Sequence, residues 1–210
     1  MNPEFVEILF LSETTFSQGR GSAGIVDIEV EHDELGLPFV GGKTIRGLLR
    51  DTWLSMQDVF PELQEAGVRV FGISQDMEEK AILRFGDAMV DQNTRQWIKA
   101  ALTRKKYPLS KNEILESLTE IRWQTAENRE TGAPEETTLR AVRVVLPGIK
   151  LKASLFWFEK PTITDLRVLS LTLLATRHGG LSRHRGRGHV CLTLNGDLEL
   201  TRRLAKGEEV

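Results

Sequence analysis

The spacing of apolar residues changes along this chain in an order that leaves few folds open. Leu166, Leu169, Leu173 and Leu174 recur at helical spacing behind Thr162 or Thr164, either of which can cap a helix. They predict a helix over 165–177, with Gly179 as a left-handed stop. Ile45, Leu48, Leu49, Trp53 and Met56 predict an earlier helix over 43–58. Strand signals flank both. Residues 5–11 form a short apolar run, and 82–90 and 149–158 read as strands, with Lys150 and Lys152 facing away from Leu151 and Ala153. Val190, Leu192 and Leu194 alternate after the second helix. The order is strand, helix, strand, strand, helix, strand. That order predicts an α+β chain with a ferredoxin-like, or RNA-recognition-motif, core in which two helices cover one face of an antiparallel sheet.

The remaining segments are elaborations of that core. Val26, Ile28 and Val30 alternate with Asp27, Glu29 and Glu31, which predicts a further strand. Trp97, Ile98, Ala101 and Leu102 carry a weaker helical pattern, and Ser110 with Glu113 forms a capping-box signature before Ile114, Leu115 and Leu118. Together these predict a helical insertion. Residues 124–138 are polar and contain proline, so they are expected to form a loop protruding from a single domain that spans 1–210. Residues 206–210 are expected to fray. No apolar run approaches the roughly 20 residues of a membrane helix, and the start of the chain is acidic, without a signal-peptide pattern. Cys191 is the single cysteine, which excludes an internal disulfide and a cysteine-rich zinc site. Its apolar neighbours predict a buried thiol. A cytoplasmic protein without membrane association is expected.

Two glycine-basic segments bear on function. Over 179–190, Gly179, Gly180, Gly186 and Gly188 are interspersed with Arg183, His184, Arg185, Arg187 and His189. Glycine permits close approach of another chain, and arginine presents a planar cation that matches phosphate. Solvated arginines behind a helix end would give the same composition. The second segment is Gly41-Gly42-Lys43-Thr44. An NTPase phosphate loop needs a glycine where Leu37 stands, so nucleotide hydrolysis is not indicated. Two glycines entering a helix still offer first-turn amides to an anion, and Lys43, Arg46 and Arg50 extend the positive end. The net charge of −2 argues against a general polyanion coat but leaves room for a local basic groove. On a regular strand Asp27, Glu29 and Glu31 would share a face. A solvated edge and a magnesium-holding carboxylate both fit that spacing. His32, His178, His184 and His189 lack metal-ligand spacing, although His184 and His189 suit phosphate contact or acid–base work.

Residues 37–50, Leu-Pro-Phe-Val-Gly-Gly-Lys-Thr-Ile-Arg-Gly-Leu-Leu-Arg, resemble the first-helix signature of the RAMP superfamily of CRISPR-associated proteins. Gly186-Arg187-Gly188-His189-Val190 resembles that superfamily's C-terminal glycine-rich loop. Residues 124–140 resemble the β-hairpin thumb of type III backbone subunits, a thumb insertion of about 121–143. The resemblance implies an RNA-recognition-motif core that binds CRISPR guide RNA, stacks with other RAMP subunits into a ribonucleoprotein of antiviral defence, and uses the thumb to kink the guide–target duplex. It implies RNA contacts at Lys43, Thr44, Arg46, Arg50, Gln124, Thr125, Arg183, His184, Arg185 and Arg187. Gly24-Ile25-Val26-Asp27 resembles the segment that carries the aspartate of target-cleaving members. Asp27 is thereby implied as the catalytic residue of a metal-dependent endoribonuclease, holding Mg2+ together with an RNA phosphate. The proline that usually follows that aspartate is absent. A non-catalytic RNA scaffold and a guide-processing endonuclease are the alternative readings.

Overall fold

A computed structural model describes residues 2–17, 19, 21–22, 24–72, 81–126, 132–133, 135 and 138–208. In chain order they form β1 (Phe5–Phe10), α1 (Gly42–Met56), α2 (Gln64–Phe71), β2 (Leu83–Met89), α3 (Gln92–Leu102) and α4 (Lys111–Leu118). There follow β3 (Thr119–Gln124), β4 (Arg140–Val145), β5 (Lys150–Trp157), α5 (Ile163–Ala175), β6 (Val190–Leu194) and α6 (Leu198–Ala205). The main sheet runs β2-β5-β1-β6 with every neighbouring pair antiparallel. Taken with α1 and α5, this is the ferredoxin-like order, strands two, three, one and four from edge to edge.

Register explains why one face is buried. Val6 stands between Ala153 and Leu194, and Ile8 between Leu151 and Leu192, so the even positions of β1 align with apolar positions on both neighbours. Ile45, Leu49 and Trp53 of α1, Val70 and Phe71 of α2, and Leu166, Leu169 and Leu173 of α5 join them in one core. Each such side chain contributes about 1.5–3 kcal/mol by leaving water. A one-residue slip would turn the whole set outward, which fixes the pairing. The opposite face of the sheet bears exposed Lys150, Lys152 and Phe156.

The predicted capping box at Ser110 forms, and of the two candidate caps Thr162 starts α5, in a box of its own. Ser110 and Glu113 exchange bonds at the start of α4, as do Thr162 and Asp165 at the start of α5. Three expectations need correction. Residues 26–31 make no regular strand; Val26 and Ile28 form isolated bridges to Ser22 and Val142 instead. The helix α5 ends at an extended Thr176, and Gly180, not Gly179, has a positive φ. Cys191 is half-buried, because it points to the face opposite Val190 and Leu192. Of the apolar residues flanking the polar loop, Val142 is buried and Ile121 half-buried, whereas Trp123 and Leu139 are 64% and 63% exposed. Before residues 206–208, Leu198–Ala205 form α6, which no sequence expectation named, capped by Asp197 and packed on α5 and β6.

Candidate nucleic-acid interface

The segment carrying Asp27 is built onto the hairpin β3–β4. Asp27 and Ala141 exchange bonds: the Asp27 amide donates to the Ala141 carbonyl (2.9 Å), and the Ala141 amide donates to Asp27 Oδ2 (2.7 Å). Ile28 lies parallel to Val142 and accepts the Arg143 amide at 3.0 Å. Arg143 is buried, and its Nε donates to Glu29 Oε1 at 2.7 Å. Asp27 is itself exposed, in an open cavity of about 480 Å³ lined also by Ser22, Ile25, Trp123 and Ala141. The alternation of residues 26–30 therefore survives as burial, with Val26 and Val30 inward, while each acidic neighbour has its own partner. Glu29 meets Arg143, Glu31 accepts the Gly41 amide at 3.4 Å, and Asp33 accepts the Leu35 and Leu37 amides.

Among the described residues no three His, Cys, Asp or Glu side chains converge on a metal position. Asp27 Oδ1 has no protein donor among them. A single exposed carboxylate with one oxygen free suits magnesium only where substrate phosphate and water complete the octahedron.

Beyond its strands the described residues of the hairpin are exposed, except half-buried Thr138. Gln124 is half-buried and Thr125 exposed, and the Thr125 and Thr138 hydroxyls lie 3.0 Å apart. Residues 127–131, 134 and 136–137, which belong to the expected thumb, fall outside the described residues.

The two glycine-basic segments come together. Thr44, Gly47 and Leu48 of α1 face Gly180, Leu181 and Arg183 across a groove of about 490 Å³, floored by Thr15 and Phe16 and flanked by Glu31 and Asp51. Lys43, Arg183, His184 and Arg185 are exposed, and among the described residues the three cations of this set are in no ion pair. Arg50 is half-buried.

Part of the expected anion chemistry is met by the protein itself. The Gly42 amide at the start of α1 donates to Asp87 Oδ1 at 2.8 Å, so a carboxylate already occupies that helix end. Arg46 turns away and donates through Nη2 to the Phe71 carbonyl at 2.8 Å, satisfying the last residue of α2. Arg187 sits 3.7 Å from Glu13, which also accepts from Arg122 of β3. That hydrogen bond from Arg122 holds the Glu13 carboxyl below the usual carboxylate range, with the charges of Arg122 and Arg187 acting the same way. The glycines likewise accommodate the chain's own backbone. A Cβ at Gly42 would stand 2.2 Å from the Phe85 carbonyl oxygen, and one at Gly188 2.1 Å from that of Gly179. His178 and His189 stack with centroids 5.1 Å apart at the base of the loop.

The Glu13–Arg122 and Glu29–Arg143 pairs were not legible in the sequence. Each joins residues more than 100 positions apart, and no local spacing marks them.

The model of the RAMP superfamily matches residues 8–190. No curated protein matches the chain. Among solved structures, a chain of the type III-B Cmr-beta complex bound to cognate target RNA aligns with TM-score 0.68 and 13% identity, over 94% of this chain and 99% of that one. The apo state of Cmr-beta gives 0.67 and 13%, over 93% and 98%. A chain of a type IV-B CRISPR complex gives 0.60 and 14%, over 97% and 99%. At these identities the structural likeness is one of fold. With most of its length matched by the family model, the chain belongs to the RAMP superfamily.

Proposed function

We propose that this chain is an RNA-binding backbone subunit of a type III CRISPR effector complex, lying beside other RAMP subunits and cleaving complementary target RNA at Asp27. One observation carries the reading: exposed Asp27 is hydrogen-bonded to Ala141 of β4, in an open cavity beside exposed Trp123. Fold likeness to chains of Cmr-beta supports the class of assembly. The groove between α1 and the glycine loop supports backbone binding of a guide strand, with Thr44 and unpaired Arg183 on its wall and the exposed, unpaired Lys43 and Arg185 beside them in sequence. Arg46 and Arg187 act in this reading by holding the fold around the groove.

Cleavage requires the RNA's 2′-hydroxyl oxygen, the adjacent phosphorus and the leaving 5′-oxygen to fall in line, an alignment whose loss by about 1 Å can cost ~100-fold. The hairpin base and Trp123 splay the strand, and Asp27, fixed by the Ala141 amide, takes the hydroxyl proton as the 2′-oxygen bonds to phosphorus and the 5′-oxygen leaves, gaining a proton from water; together with the target phosphate, Asp27 would hold magnesium. When bound, magnesium would neutralise charge developing on that phosphate. A non-catalytic scaffold is favoured by one specific fact: the reciprocal Asp27–Ala141 bonds already give this carboxylate a structural task.

The groove is tested by measuring guide-RNA affinity against salt for wild type and for Arg183→Ala/Arg185→Ala. The double variant is expected to weaken all sequences alike and to flatten log K against log salt by roughly 0.7 per lost contact. Wild-type affinity and slope in the variant would place the guide elsewhere.

A further inference from the structure

The turn joining α3 to α4 carries a surface that the glycine segments do not explain. Between Asp91 and Glu113 the chain has no acidic residue but holds Arg95, Lys99, Arg104, Lys105, Lys106 and Lys111, in a protein of net charge −2. Arg95 is neutralised by Asp33. Among the described residues the other five are in no ion pair, and all five are exposed. Two aromatic rings stand among them. Trp97 is 57% exposed with the Arg104 guanidinium 5.6 Å from its centroid, and Tyr107 is 83% exposed with Lys106 Nζ at 5.4 Å.

This turn is held in place. Tyr107 has φ +57°, a left-handed conformation that bulky residues rarely adopt. The Leu109 amide donates back to the Ala101 carbonyl at 3.2 Å, and the Thr103 hydroxyl to that of Lys99 at 3.2 Å. A merely solvated basic face has no use for two exposed rings beside it. An acidic peptide would engage the cations but not the rings. Single-stranded nucleic acid engages both, because phosphates meet the cations and bases stack on the rings.

We propose that the α3–α4 turn is a second nucleic-acid site, taking a single strand through its phosphates and stacking bases on Trp97 and Tyr107. It shares no residue with the α1–glycine-loop groove, and it rests on the proposed function only for which strand occupies it. The test uses the full chain carrying Arg183→Ala/Arg185→Ala, so that the groove does not mask the turn. Fluorescence anisotropy is read with labelled single-stranded RNA, single-stranded DNA and duplex RNA of roughly 12 nucleotides, a length within the range of single-strand sites. Adding Arg104→Gln/Lys105→Gln/Lys106→Gln should weaken single-strand binding at least about tenfold and lower the salt slope by about 2. Adding Trp97→Ala/Tyr107→Ala instead should cost about fivefold or more with the slope unchanged. Duplex RNA should bind more weakly than either single strand, and a preference between RNA and DNA identifies the strand chemistry. Unchanged melting temperatures establish that the variants are folded. If the loop-variant background binds no single strand, or if either added set leaves its affinity unchanged, the proposal is overturned. A defect seen only in the loop variant bears on the groove and not on this turn.

Discussion

Arg143 shows how one residue ties the candidate site to the fold. Its guanidinium is buried against Glu29, and Nη1 reaches the Thr119 hydroxyl at 3.2 Å. Arg143→Met leaves the Glu29 carboxylate without its cation and should cost about 3 kcal/mol in urea unfolding, while Arg143→Met/Glu29→Leu should recover part of that loss. Glu13 makes a different prediction because it titrates. Arg122 holds its folded-state value below the ordinary 4.5. Between the two values the native state binds fewer protons than the unfolded one, so stability falls as pH drops through that window. Glu13→Gln should therefore flatten the dependence of melting temperature on pH below about 4.5 and leave the slope near neutrality unchanged. Neither pair announces itself in the sequence. A carboxylate in an alternating run looks the same whether it faces water or an arginine 114 residues away.

Elements were legible where their signals are local. The capping boxes at Ser110 and Thr162 set α4 and α5 because both partners lie within four residues. Thr162→Ala should lower stability by about 1 kcal/mol, since it frees the Asp165 amide. Asp165→Ala should cost more, because it also removes the buried partner of Arg69. The run of residues 26–31 misled because alternation reports burial and not pairing; besides local bonds to Ser22 and Phe39, its backbone bonds go to Ala141, Phe16 and Arg143, chosen by tertiary position. The helices α2 and α6 were missed although signals existed: Leu63, Ala66 and Val70 lie three and four apart before Gly72, and Asp197 precedes Leu200 and Leu204. Both helices are only eight residues long, short for periodicity to stand out.

At the scale of the whole molecule, the two glycine-basic segments, about 140 positions apart, meet across one groove because α1 and α5 lie side by side on the same sheet face. The composition of those segments was legible; the division of labour within them was not, since Arg46 and Arg187 serve protein carbonyl and carboxylate groups. Among the described residues no helix is long and apolar enough to cross a membrane. The central claim, cleavage of target RNA beside the hairpin, is tested most directly with complex assembled on guide RNA, end-labelled complementary RNA and magnesium. Wild-type chain should produce cuts at regular intervals, and Asp27→Asn should abolish them while guide and target affinities stay unchanged, because it keeps shape and removes charge. Undiminished cleavage by Asp27→Asn would contradict the assignment, and an uncut target with the wild-type chain would leave the scaffold reading in its place.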